Sequence, residues 1–241
     1  MIQSSRAIVL RTYKYSESSL VVHTYTEQWG RQAFMAKGVH GKKAALKVNL
    51  FQSLFLLDIE VYKKENRELN ILKEARIYRP FANISSSIIK TSLVLFLSEI
   101  LHKVLKEEIS NPPLFAFLSG SFELLDLETN NIQDFHILFL LQLSKFLGFY
   151  PSNNFSENDC FFDLINGQFV DYIPAHGQFC DKDLSLILSN ALKLVISDGT
   201  ALHLIRAERK ILLQCIVIYY QLHLHGMGEI KSLEIMREVF N

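Results

Sequence analysis

No stretch of this 241-residue chain approaches the ~18 consecutive apolar residues that a bilayer-spanning helix needs, since runs such as Leu93–Leu97 and Ile137–Leu141 are interrupted within a turn or two. Cysteine is scarce: Cys160, Cys180 and Cys215 are odd in number and far apart, which argues against a disulfide framework. The first residues, Met-Ile-Gln-Ser-Ser-Arg, lack the basic-then-apolar form of a signal peptide. Also missing are the Gly-x-x-x-x-Gly-Lys-Ser/Thr phosphate loop, the Gly-x-Ser-x-Gly elbow, His-Glu-x-x-His and Gly-x-Gly-x-x-Gly, so nothing announces nucleotide hydrolysis, acyl transfer, zinc proteolysis or dinucleotide binding. These absences lead us to expect a reduced, soluble, cytoplasmic protein. Apolar residues, at 49% of the chain, suffice for a large core in one large domain or two small ones.

What is present is charge, unevenly distributed. The 25 Lys/Arg and 25 Asp/Glu cancel in sum. Residues 1–80 nevertheless hold 14 basic against 7 acidic residues, a local +7, and residues 81–241 hold 11 against 18, a local −7. Such asymmetry suggests that the basic part meets a polyanion.

Periodicity divides the chain at the same place. Ile8–Tyr13, Leu20–Thr26 and Arg31–Lys37 alternate as strands, followed by Phe51–Tyr62 and Glu68–Tyr78. In the last of these, Leu69, Ile71, Ala75 and Ile77 share one face. Gly30 separates the second and third strands, and the 64–67 stretch reads as a polar hairpin tip. Five strands in about 80 residues fit a small closed barrel, with an oligonucleotide/oligosaccharide-binding (OB) barrel leading and an SH3-like barrel matching it in strand count. After Arg79-Pro80 the spacing becomes helical, with Ile89, Leu93, Phe96, Ile100 and Val104 on one face. Further helices are expected over Leu114–Leu127, from a cap at Asp134 to Leu147, and from Asp183 to about Ile196. Ala201–His225 reads as a buried central helix and Glu229–Phe240 as a short amphipathic one. Residues 152–182 read as an irregular insert. The fold class is therefore α+β, divided into 1–80 (barrel) and 81–241 (helical, insert at about 152–182).

The string Tyr15-Ser-Glu-Ser-Ser-Leu-Val-Val, then Tyr25-Thr26, Gly30 and Ala36-Lys37-Gly38, with Lys42, Lys43 and Lys47 behind it, strongly resembles the RecO family of bacterial recombination-mediator DNA repair proteins. Ala7-Ile-Val-Leu10 and Phe51-Gln52 also fit, and Arg209-x-x-Leu-Leu, Tyr219-Tyr220, His223 and Lys231-Ser232 look like the same family's C-terminal helices. The resemblance is dense over residues 5–60 and sparse but in register to about 240. It implies an N-terminal OB barrel, a helical C-terminal domain and a role without catalysis. Proteins of this kind bind single- and double-stranded DNA, anneal complementary strands and pair with RecR. They also contact single-strand-binding protein and help load RecA on strands that it covers, in the cytoplasm at the nucleoid.

Single-strand binding needs cations for phosphates and aromatic faces for bases. Lys37, His40, Lys42, Lys43 and Lys47 form the densest basic segment, with Gly38 and Gly41 permitting close backbone approach. Arg11, Lys14 and Arg31 extend it if their strand residues point the same way. Tyr13, Tyr15 and Trp29 are aromatic candidates, while Phe34, in phase with Ala36, reads as barrel core. Glu17 has no acid/base partner at short spacing and reads as turn chemistry. For protein partners, the helix-borne cations Lys103, Lys106, Arg206, Arg209 and Lys210 sit beside apolar residues that suit an acidic, apolar tail. Many members of the family hold a structural zinc in the insert with two paired-cysteine knuckles. Here only Cys160, Asp163, His176 and Cys180 remain as donors, so the insert reads as a degenerate zinc-ribbon-like lobe and no cofactor is expected.

Overall fold

The two-residue alternation of the first 80 residues becomes five strands: β1 (Ile2–Lys14), β2 (Ser19–Thr26), β3 (Gly30–Lys37), β4 (Leu56–Tyr62) and β5 (Asn70–Arg79). They close into a barrel in the order β1-β2-β3-β5-β4, with β4 returning to β1. Every pairing is antiparallel except the short β3–β5 seam, Phe34↔Asn70 and Met35↔Ile71, and this order with a parallel seam is the OB topology. The computed structural model describes residues 1–40, 46–64, 69–129, 132–196 and 202–239. The hairpin tip expected at 64–67 therefore lies outside the described residues from 65 onward.

Three bulges shape the barrel, one of them at Tyr78 in β5, between the pairs Leu56↔Arg79 and Leu57↔Ile77. β1 pairs with β4 through Ile2–Ile8 and with β2 through Ala7–Lys14, and the register breaks between Val9 and Arg11. The extra residue bends the strand so that it serves both sides of the closure. In β5 the register breaks opposite Glu60/Val61, where Glu74 and Leu72 are the paired residues and Lys73 is the extra one. Leu72 and Ala75 consequently enter the core, whereas Ile71 is half-buried and Ile77 is exposed. This corrects the face expected from strict alternation, which a bulge resets. The interior is filled by Ala7, Val9, Leu20, Val22, Phe34, Ala36 and their partners on β4 and β5. The fourth strand also starts later than expected. Val48–Phe51 forms a 3-10 turn, and Leu54 is left-handed (φ 63°). Its N–H donates to Val9 O at 2.7 Å while Val9 N–H donates to Phe55 O at 3.0 Å, so two bonds to β1 hold a conformation that side chains disfavour.

The chain forms two compact units, Met1–Asp126 and Leu127–Asn241. The first includes α1 (Ile88–Val104) and nearly all of α2 (Pro112–Leu127) as well as the barrel. Ser87 Oγ caps α1, and the stripe Leu93, Phe96, Ile100 and Val104 is buried as its spacing predicts. The Asp126 carboxylate accepts from the N–H groups of Ala82 (2.9 Å), Asn83 (2.8 Å) and Ile84 (2.9 Å), and the buried Lys90 ammonium donates to Asp126 O at 2.6 Å. Burial alone would push this carboxyl up; the three N–H groups and Lys90 outweigh it and hold it below the usual range.

The far end of α1 is locked to the barrel at the β2–β3 turn. Gly30 is left-handed (φ 62°), and a Cβ there would strike the carbonyl oxygens of Glu107 and Ile109. Arg31 N–H donates to Glu107 O at 2.8 Å, and its guanidinium reaches His102 O (3.3 Å) and Leu105 O (3.5 Å), carbonyls left without helical partners at the end of α1. Tyr25, opposite Arg31 on the outer side of the barrel, is only 2% exposed beneath this cover.

In the second unit, α3 (Phe135–Leu147), α4 (Lys182–Leu192) and α5 (Arg206–His223) pack on one another, α6 (Ser232–Val239) follows, and the insert is ordered as a small sheet. Its strands β6 (Phe161–Asp163), β7 (Gln168–Val170) and β8 (Phe179–Cys180) run in the order β7-β6-β8. The enclosed helix is α3, with every residue from Phe135 to Ser144 buried. α5 begins at Arg206, later than the expected Ala201, and is amphipathic, burying Leu212, Cys215, Ile216, Tyr219 and Tyr220 while Ile211 and Leu222 are exposed, which corrects the expectation of an all-round apolar helix there. Asp134 stands at the N-cap position of α3 as expected but makes no capping bond; its carboxylate accepts from buried Arg209 Nε at 2.6 Å. Gly148, left-handed at φ 85°, ends the helix. Among the described residues no helix is long and apolar enough to cross a membrane.

Candidate nucleic-acid interface

Strand direction sorts the candidate residues to the two ends of the barrel. β1 and β2 are joined at 14–19, and Lys37 ends β3 opposite Ser19. Tyr15 N–H and Ser16 N–H both donate to Ser19 O (3.0 and 3.2 Å), so backbone bonds close this turn, and Val39 N–H donates to Ser18 O at 3.0 Å. Lys14, Tyr15, Lys37 and His40 are thus gathered at one end, all exposed, with Tyr15 66% accessible. Lys47 is exposed at the start of the 3-10 turn, flanked by Leu46 and Phe51 in the core, and Phe51 O accepts from Thr12 Oγ1 at 3.0 Å. Lys42 and Lys43, central to the expected basic segment, lie outside the described residues. Trp29 belongs to the opposite end. It packs on the barrel core edge-on to Phe34, and the Lys63 ammonium sits 4.0 Å from its ring centroid. Burial pulls the pKa of Lys63 down. Phe34 is core, as expected.

Arg11 and Tyr13 lie between the ends on the outer face, exposed, with the Arg11 guanidinium 5.1 Å from the Tyr13 ring centroid. Arg11 also rims a cleft of about 520 Å³ between β1 and α1, lined by Phe51, Phe55, Phe81 and Leu95. Arg31 departs from the expected role: its guanidinium is part-buried and bonded to carbonyls at the end of α1. It also donates from one nitrogen to His23 Nδ1 (3.2 Å) and His102 Nδ1 (2.8 Å). Burial, and after it the charge of Arg31, lowers both imidazoles, His102 to about 4. Neither histidine stands out in the sequence, because a separation of 79 positions hides a contact made only when α1 docks on the barrel.

The cations proposed for partner binding do not act alike. Lys103 is half-buried and 3.6 Å from Glu99, and Lys106 is exposed beyond α1. Arg206 and Lys210 are exposed on α5 beside exposed Ile211. Arg209 is buried, bonded to Asp134, Gln133 Oε1 (3.2 Å) and Leu204 O (2.9 Å), so it braces the second unit and cannot reach a partner without unmaking those bonds.

In the insert, Asp163 Oδ1 accepts from Ile165 N–H (2.8 Å) and Asn166 N–H (3.1 Å) and lies 3.2 Å from His176 Nε2, while Asn166 Nδ2 donates to Oδ2 at 2.7 Å. Cys180 is buried against Cys215 of α5, and that hydrogen bond, more than burial, raises its thiol. Among the described residues no three His, Cys, Asp or Glu side chains are gathered as a metal-holding group. Of the sequence candidates, Asp163 and His176 pair with each other, and Cys160 and Cys180 are buried.

Residues 1–81 match the family described as Recombination protein O N terminal, and residues 85–234 match Recombination protein O C terminal. The chain belongs to the RecO family. Proteins named DNA repair protein RecO are 35% identical in Azobacteroides pseudotrichonymphae, 34% in Phocaeicola vulgatus and 35% in Bacteroides fragilis, each covered over its full length together with all of this chain. RecO is thus a family of DNA repair and recombination proteins that pairs an OB barrel with a helical region, as found here.

Proposed function

We propose that this protein is a non-enzymatic recombination mediator that binds single- and double-stranded DNA through one end of its barrel. In this reading it anneals complementary strands and helps load the RecA recombinase on strands covered by single-strand-binding protein, together with RecR. The observation that carries the reading is the convergence of Lys14, Tyr15, Lys37, His40 and Lys47 at the β1–β2 and β3–β4 connections of an OB barrel. Cations there track phosphates, and the exposed Tyr15 ring offers a stacking face. Lys42 and Lys43 join this group by sequence. The exposed Arg206, Lys210 and Ile211 of α5 suit an acidic, apolar peptide such as a partner's tail, and the chain acts without metal or cofactor at the nucleoid. The alternative is an adaptor whose barrel binds protein instead of DNA.

Fluorescence anisotropy of a labelled single strand at several salt concentrations separates the two. About four phosphate contacts give a slope of log affinity on log salt near −3, at about −0.7 per contact. Charge reversal at Lys37, Lys42 and Lys43 flattens the slope and slows annealing. Salt-independent or absent binding favours the adaptor.

A further inference from the structure

Outside the basic end, the outer face of β1 and β2 carries a second constellation made entirely of donors. Arg31 binds the Nδ1 atoms of both His23 and His102, so each must present a lone pair there and carry its proton on Nε2. His102 Nε2–H then points at Tyr13 Oη, 3.4 Å away, which turns the phenol proton outward. The three rings pack edge to face or tilted, with centroids 5.2 to 6.2 Å apart, so their orientations are fixed by contact as well as by hydrogen bonds. Among the described residues His23 Nε2–H makes no hydrogen bond, His23 is part-buried, Tyr13 is 41% exposed, and Arg11 lies over the Tyr13 ring. No carboxylate bonds to any of the five among the described residues. Glu108 acts on Arg31 through space without pairing with it.

We propose that Arg11, Tyr13 and His23 form a binding site for one phosphodiester group of a nucleic-acid strand, with Arg31 and His102 behind them as positioning residues that aim the donors. An anion is the matching ligand because every outward group donates or is cationic, and a neutral acceptor would leave the Arg11 charge unanswered. The inference rests on the DNA-binding reading but assigns different residues, in a different part of the barrel, from the lysine-rich end.

The test uses the full-length chain, a fluorescein-labelled oligothymidylate and an abasic strand of the same length, with folding checked by thermal melting. Tyr13→Phe keeps the ring and loses only the donor, His23→Phe does the same for the imidazole, and Arg11→Gln removes the charge. Each is expected to weaken binding roughly five- to tenfold. Arg11→Gln should also flatten the salt slope by about 0.7, while the two neutral substitutions leave the slope unchanged. The Tyr13→Phe loss should persist on the abasic strand. If Tyr13→Phe and His23→Phe bind as the unsubstituted protein does while reversal of Lys37, Lys42 and Lys43 abolishes binding, the Arg11–Tyr13–His23 assignment fails and the DNA reading stands. A Tyr13→Phe loss that vanishes on the abasic strand means that the phenol meets a base, which overturns the phosphate assignment. Absence of binding by the unsubstituted protein overturns both. Should His23→Phe fail to fold, Tyr13→Phe decides alone.

Discussion

Single residues in this protein are defined by what they are bonded to, more than by their type. Arg31 and Arg209 both read as surface cations in the sequence, and both are tied down by hydrogen bonds, Arg31 part-buried at the end of α1 and Arg209 buried against Asp134. Nothing local marks them, because their partners lie 71 and 75 residues away in the chain. Phe34 and Lys37, by contrast, stand where strand parity puts them, the first buried and the second exposed. His136 illustrates the energetic side of burial. It is fully enclosed on α3 near Arg209, and burial first, then that cation, holds its pKa at about 3. The unfolded chain, titrating near 6.5, takes up a proton that the native state refuses, so stability falls as pH drops from about 6.5 toward 3. Between pH 7 and pH 5 the loss from this residue is about 2 kcal/mol. His102 pulls in the same direction with a smaller contribution, being half exposed. Urea unfolding of the unsubstituted protein and of His136→Leu at both pH values is the check: the substitution should remove most of the difference.

Elements were legible wherever a period persisted. Alternation in β2 and β3 and the three-and-four spacing of α1 give the observed segments nearly to their ends, whereas β1 begins six residues before the expected Ile8. β5 was misphased because a one-residue bulge leaves no compositional mark, and the start of β4 was misread because Leu54 adopts a glycine-like conformation under the hold of β1. The insert has strands of only two and three residues, too short to establish a period. The same scale explains why α1 begins where it does. Ser87 supplies a cap, but the approach to it is fixed by Asp126, three of whose N–H donors have no other acceptor in the described structure. Asp126→Ala should cost roughly 3 kcal/mol through those orphaned donors. Asp126→Asn, which retains an acceptor oxygen at Oδ1, should cost about half as much. Chemical denaturation of the two variants measures the difference.

For the whole molecule, the change of periodicity after residue 80 coincides with the family boundary between residues 81 and 85, while compactness divides the chain at Asp126. The first unit therefore holds 17 Lys/Arg and 12 Asp/Glu, an excess of +5 that tempers the +7 of the strands alone. A chain ending at Asp126 should melt cooperatively, whereas one ending at Pro80 strips the partners from Gly30 and Arg31, uncovers Tyr25 and should melt at a markedly lower temperature or aggregate. Calorimetry of the two fragments tests this. The cover that α1 and residues 105–110 lay over the β2–β3 turn also limits how far a ligand can travel. A strand entering by Tyr15 and Lys37 and crossing Tyr13 meets a wall at Arg31, so under the proposed reading its footprint is short, about four nucleotides, the low end for an OB barrel. A protein that grips so little of a strand leaves the neighbouring bases free to find their complement while it holds on.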